Sequence, residues 1–228
     1  MSLYDALTER SCMDTLIVFA RAPQPGTAKT RLATVLGTGA AHRLYAAMFA
    51  DTLDLAGRVQ ARRLLSLAGA AVPDLPPDWI VLRQPERSFG ERLAWSFAQA
   101  FADGARRCVL IGADAPHLQP GWIDEAFAAL ASADVVVGPT HDGGYYLLGL
   151  REAAPWIFRE VSWSTPAVCE QTLRLVREHG CGYHLLPEEF DVDTPDDAKR
   201  LHTLLRQAPE RAPRTALALE ELLLKATA

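Results

Sequence analysis

Residues 109–116 read Val-Leu-Ile-Gly-Ala-Asp-Ala-Pro. Three large apolar residues in a row, with no polar alternation, predict a short strand buried on both faces, as inside a parallel sheet. Gly112 ends that run and Pro116 prevents further pairing, so Asp114 is set where a buried strand opens into a loop. In open α/β sheets, ligands bind in the crevice beyond the carboxyl ends of the strands. Taken alone, an aspartate there fits capping of the next helix better than a site. The rest of the chain brings it a second reading.

Thr15–Ala20 is another unbroken apolar run and runs directly into Arg21-Ala-Pro-Gln-Pro-Gly-Thr-Ala-Lys-Thr-Arg31. Pro23, Pro25 and Gly26 shape this loop, and Lys29 and Arg31 place cations at its end. A strand, a loop with backbone donors and fixed cations, and then a helix can hold a diphosphate. The loop is not a Walker A motif, because the first glycine and the one before Lys29 are missing. A lysine in such a polar loop is read as having little packing to lose.

Further strands are expected at 63–67, 79–82, 134–138, 145–150 and 183–186, and helices at 40–56, 120–132, 166–179 and 216–225. Ser88 with Glu91 predicts a capping box that opens the helix after Gln84. Arg92 falls in that helix's first turn, where a cation opposes the helix dipole; it meets either a ligand or an exposed carboxylate. Ser164 or Thr165 is expected to cap the 166–179 helix, with Pro166 at its first position. The alternation predicts a three-layer α/β/α sandwich with a mostly parallel sheet over residues 14–206, its central strands including 15–20, 109–112 and 134–138. Residues 1–13 read as a leader and 207–228 as a C-terminal helical extension.

Two more loops carry polar chemistry. Thr140-His-Asp-Gly-Gly144 places His141 and Asp142 on an adaptable turn, with Gly143 and Gly144 leaving room for a ligand beside Tyr145 and Tyr146. In Phe190-Asp-Val-Asp-Thr-Pro-Asp-Asp197, Thr194 caps and Pro195 starts a helix, which leaves Asp191 and Asp193 without a capping role. Their alternation about Val192 is read as sending them to opposite faces, so one of the two is expected to reach a site.

Composition narrows the classes. Hydrophobic residues make up 49% and charged residues 22% of 228, with a formal net charge of -5. That balance is an ordinary globular one and argues against nucleic acid as a partner. No apolar run has bilayer-spanning length, and Met1–Asp14 lacks an apolar signal core, so a cytoplasmic protein is expected. Cys12, Cys108, Cys169 and Cys181 have neither metal-site nor disulfide-framework spacing.

Taken together, residues 19–32, Gln84 with Gly90-Glu-Arg92, Gly112–Pro116, Gly138–Tyr146, Trp163–Pro166 and Asp191–Pro195 resemble an uncharacterised bacterial transferase family. That family shares the glycosyltransferase A-type, nucleotide-diphospho-sugar transferase fold with molybdenum-cofactor and phospholactate guanylyltransferases. The resemblance implies a nucleotide-sugar or nucleoside triphosphate donor held by Arg21, Pro25, Gly26, Lys29, Arg31, Gln84 and Arg92. It implies Mg²⁺ or Mn²⁺ on Asp114 with Asp191 or Asp193, although Ala113 and Ala115 leave a single acid at the usual Asp-x-Asp position. His141, Gly143, Gly144, Tyr145, Trp163 and Ser164 would face a small acceptor, with Asp142 as base and Lys29 on the departing phosphates. Three activities follow as alternatives: metal-dependent glycosyl transfer, nucleotidyl transfer from a triphosphate, or a non-catalytic nucleotide-binding module. The oligomeric state is left open, a homodimer included.

Overall fold

The computed structural model describes residues 13–26 and 29–226. The expected leader 1–13 therefore lies almost wholly outside the described residues, as do Cys12, Thr27 and Ala28 of the stretches read above. Among the described residues, seven strands form one sheet: β1 (Thr15–Arg21), β2 (Arg62–Ala68), β3 (Trp79–Arg83), β4 (Cys108–Gly112), β5 (Val135–Pro139), β6 (Tyr145–Leu150) and β7 (Tyr183–Leu185). Their spatial order is β3-β2-β1-β4-β6-β5-β7. All pairings are parallel except those of β6 with β4 and with β5. The fold is the three-layer, mostly parallel α/β arrangement that the apolar runs predict.

None of the three runs without alternation lies at an edge; β1 and β4 are central and β5 is second from one end. Their alternate side chains feed two cores. Leu16, Val18, Val109 and Ile111 pack on one face against α2 (Thr38–Gly57) and α4 (Pro120–Ala129). Ile17, Cys108, Leu110 and Val135 pack on the other against α3 (Phe89–Ala102) and α5 (Val168–Glu178). Burial on both faces is why these strands contain no polar alternation.

A third cluster joins α1 (Thr30–Leu36), α2, α6 (Pro195–Gln207) and α7 (Pro213–Ala226) through Leu32, Leu44, Met48, Leu201 and Leu219. Phe190 and Val192 also plug into this cluster, which places the acidic segment 191–193 beside α1. The C-terminal helix is tied in by Asp51, which is buried and accepts from the backbone N–H groups of Arg214 and Thr215.

Local chemistry sets the helix starts. Ser88 and Glu91 form the expected capping box, and Thr194 forms another with Asp197. The helix expected at 166–179 instead begins at Val168, because Ser162–Ala167 turns on itself: Thr165 donates to the Ser162 carbonyl and accepts from Ala167 N–H. Pro166 thus belongs to the turn and not to the helix. The 120–132 helix also ends early, at Ala129. Among the described residues no helix is long and apolar enough to cross a membrane.

Candidate functional site

A cavity of about 610 Å³ opens beyond the carboxyl ends of β1, β2 and β4. Its volume lies in the range of small-molecule sites. The loop after β1 contributes one wall. Tyr45 anchors it from α2: the Tyr45 hydroxyl donates to the Arg21 carbonyl (2.8 Å) and accepts from Arg21 N–H (3.3 Å). The loop ends at Lys29, whose backbone is left-handed (φ 55°) and whose carbonyl receives Ala33 N–H as α1 begins. A lysine in that region is strained by about 1–3 kcal/mol and persists where its surroundings over-determine it.

The surroundings do so here. Lys29 Nζ lies 2.6 Å from Asp114 Oδ1 and 2.6 Å from Asp193 Oδ1. Its side chain is only 4% exposed, so the solvated loop lysine expected from sequence is in fact a buried ion-pair centre. Burial disfavours the ammonium, yet Asp114 and then Asp193 more than offset that and hold the Lys29 pKa above its ordinary value. Val192 N–H donates to the Asp114 carbonyl (2.9 Å) and so clips the acidic segment against the end of β4.

Asp191 and Asp193 both line the cavity. The expectation that only one would reach it is corrected by strand geometry: residues two apart in an extended segment share a face, while Val192 between them turns into the core. Asp191 is pushed up to about 7 by burial and by the carboxylates of Asp142, Asp193 and Asp114, with Lys29 only partly countering them. Asp142 also lines the cavity; its Oδ1 accepts from the Thr140 hydroxyl (2.6 Å) and from Gly144 N–H (3.1 Å).

The acidic end has the chemistry of a divalent-cation site. Two carboxylate oxygens already converge on one nitrogen, and Mg²⁺-type sites commonly use one or two carboxylates completed by phosphates and water. Among the described residues no three His, Cys, Asp or Glu side chains form a closed metal cage. The remaining ligands of any ion would come from the substrate.

The other end is aromatic and basic. Arg92 lies 5.9 Å from the Phe19 ring and 5.7 Å from the Phe89 ring, and donates to Gln84 Oε1 (2.9 Å). Gln84 in turn donates to the Ser66 and Ala20 carbonyls, fixing Arg92 to the ends of β2 and β1. Burial and the neighbouring Arg21 lower the Arg92 pKa, and among the described residues Arg92 has no ion-pair partner. Of the two sequence readings of this cation, the exposed salt bridge is not found among the described residues.

Trp163 closes this end, 5.1 Å from the Phe89 ring. It sits so close to α3 that a Cβ on Gly90 would lie 2.8 Å from Trp163 Cε2. Ser164 beside it is held left-handed (φ 63°) at the cavity wall. Arg21, Arg31, Gly144 and Tyr145 are also at the wall. Four sequence candidates do not line it. Pro25 and Gly26 form an exposed turn; Gly143 (φ 85°) packs under Pro166, with its carbonyl accepting Cys169 N–H (2.8 Å). His141 faces Glu188 (3.1 Å) and Arg200 (3.1 Å) on the surface. Tyr45 and Phe89 are not among the sequence candidates, and Phe19 and Thr140 stand within quoted motifs without a role; their placement depends on which elements meet at the sheet ends.

The comparisons with known proteins agree with this architecture. No curated protein matches the chain. Among solved structures, 4-diphosphocytidyl-2C-methyl-D-erythritol synthase from Anaerococcus prevotii aligns at TM-score 0.55 and 10% identity, covering 88% of this chain and 99% of that one. Rv0371c from Mycobacterium tuberculosis, in complex with manganese, aligns at TM-score 0.53 and 20% identity, covering 84% and 98%. These two share the fold. Much more similar is a "putative nucleotide-diphospho-sugar transferase" from Desulfovibrio desulfuricans, with TM-score 0.84 and 30% identity over 91% of this chain and 94% of that one. Residues 55–165 match the model of DUF2064, described as an uncharacterized protein conserved in bacteria. With both relationships in place, the chain belongs to the DUF2064 family and has the nucleotide-diphospho-sugar transferase fold.

Proposed function

We propose that this protein is a divalent-cation-dependent transferase that moves a sugar from a nucleotide-sugar to a small acceptor. The observation that carries the reading is the juxtaposition, in one cavity, of the Asp114–Lys29–Asp193 cluster with Arg21, Arg31 and Arg92, which form no ion pair among the described residues. Support also comes from the family relative described as a "putative nucleotide-diphospho-sugar transferase" and from the fold relative crystallised with manganese.

A nucleoside diphosphate leaves slowly unless its developing charge is met by fixed positive groups. Arg21 and Arg31 line the phosphate end, and Lys29 is within reach of it through the loop that carries it. Asp114 and Asp193 would hold Mg²⁺ or Mn²⁺, with Asp191 beside them; the bound ion supplies Lewis-acid neutralisation of the departing diphosphate. Gln84 and Arg92, fixed to the strand ends, orient the donor. Asp142 takes the acceptor proton: Thr140 and Gly144 fix one carboxylate oxygen, and no hydrogen bond among the described residues engages the other. Tyr145, Trp163 and Ser164 face the acceptor at the cavity wall.

Nucleotidyl transfer from a nucleoside triphosphate is the second reading, favoured by the fold likeness to cytidylyltransferases. Incubation of the protein with nucleotide-sugars and with nucleoside triphosphates, each with Mn²⁺ and a panel of small hydroxyl and phosphate acceptors, separates the two by product. Release of nucleoside diphosphate supports glycosyl transfer and release of pyrophosphate supports the alternative. Nucleotide binding without either product would leave the non-catalytic module.

A further inference from the structure

The Lys29 ammonium stands where a cation bridging Asp114 and Asp193 would stand. Its nitrogen is 2.6 Å from one oxygen of each carboxylate. Mg²⁺ bound to the same two oxygens would approach them more closely still, at about 2.0–2.1 Å. The ammonium and the ion therefore exclude one another from that pair. Among the described residues Lys29 is the one basic group paired with either carboxylate.

The same lysine ends a loop flanked by Arg21, the last residue of β1, and Arg31, in the first turn of α1, and both arginines line the cavity. Two of the three N–H donors of its ammonium are taken by the carboxylates, which hold it away from a full set of phosphate contacts. Its left-handed backbone is the kind of conformation that persists while local contacts hold it. Loss of those contacts frees both the side chain and the loop end.

We propose that Lys29 is a tethered occupant of the cation site. In the free protein it neutralises Asp114 and Asp193; when a divalent cation takes that pair, the ammonium transfers to the phosphates of the incoming ligand. Cation and phosphate ligand then bind together and not independently, and linkage makes the coupling reciprocal. This inference rests on the reading of Asp114 and Asp193 as cation ligands.

The test measures Mn²⁺ binding alone, by electron paramagnetic resonance of the free ion, to the full-length wild type, Lys29→Gln, Lys29→Arg, Asp114→Asn and the double variant Lys29→Gln/Asp114→Asn. Lys29→Gln should bind Mn²⁺ at least about tenfold more tightly than wild type, since a charged competitor of the carboxylates is gone. Lys29→Arg should stay near wild type, and Asp114→Asn should erase the gain. A second measurement needs no folded Gln variant. Lys29, Lys199 and Lys225 are the lysines of the chain, so ¹³Cε-lysine NMR of the wild type can follow each one. Mg²⁺ with pyrophosphate should move the Lys29 signal, assigned by its loss in Lys29→Arg. If Lys29→Gln binds Mn²⁺ no better than wild type while Asp114→Asn weakens both, the exchange is overturned and the cation reading stands. A Lys29 signal unmoved by Mg²⁺ and pyrophosphate also overturns the exchange. If neither wild type nor any variant binds Mn²⁺, the cation reading falls and the exchange falls with it.

Discussion

The backbone N–H of Val192 donates to the carbonyl of Asp114 across 2.9 Å, joining two segments 78 positions apart. Asp114 and Asp193 converge because of this link, and not through any local preference of either loop.

Asp114→Ala and Asp193→Ala should each abolish Mn²⁺-dependent stabilisation by nucleotides, read as a thermal shift with and without the ion. The double variant should be little worse than either single one, because two ligands of one ion act as a unit. Full additivity of the two losses would argue that they serve separate sites.

Lys29→Ala should weaken nucleotide binding and also lower stability by about 1–2 kcal/mol, measured by urea unfolding. The stability loss follows from leaving Asp114 and Asp193 facing one another without a cation; both are about half exposed, so water moderates the cost. An unchanged unfolding midpoint would mean that the buried ion pairs contribute nothing net.

Gly90→Ala should destabilise the protein by about 1–3 kcal/mol, even though alanine is favoured over glycine in a helix. The added methyl enters the space of the Trp163 indole, and Gly90 is buried in the first turn of α3. Tryptophan fluorescence should report a displaced Trp163, and Trp163→Ala in the same chain should restore the unfolding midpoint toward that of Trp163→Ala alone.

The contribution of His117 to thermal stability should be lost as the pH falls below 6.5, while Asp191, raised from 3.8 to about 7, acts in the opposite direction between those values. His117 is fully buried, stacked on Phe190 (4.3 Å) and bonded to Glu189 (3.1 Å). Burial lowers its pKa below the ordinary 6.5, with Arg211 and Arg200 adding to that and Glu189 opposing it. The unfolded chain therefore binds more protons below pH 6.5, and stability present above that value is lost as the pH falls. Glu189 acts in the same direction at lower pH: despite burial, His117 and Arg211 hold its pKa below 4.5. His117→Phe keeps a ring against Phe190 and leaves Asp191 in place, so the stability of wild type minus that of the variant should fall as the pH drops from about 7 to about 5; a difference that does not change with pH would remove His117 from the dependence.

Much of the fold is legible in the chain because its signals are local. Unbroken apolar runs at 15–20 and 109–112 mark strands buried on both faces, and Ser88-x-x-Glu91 and Thr194-Pro195 mark helix starts through hydrogen bonds spanning three residues. The order in which β1 and β4 pair, with antiparallel β6 inserted before β5, depends on contacts between segments far apart and leaves no local trace.

The residues themselves determined that acids and bases would gather at the strand ends, since Asp114, Lys29 and Asp193 each follow or precede an element that needs no help from them. Only the tertiary structure decided that Lys29 is buried between the two carboxylates, that Asp191 and Asp193 share one face, and that His141 and Gly143 turn away from the cavity. Coulomb pairing and burial depend on distance in space, and the sequence supplies only distance along the chain.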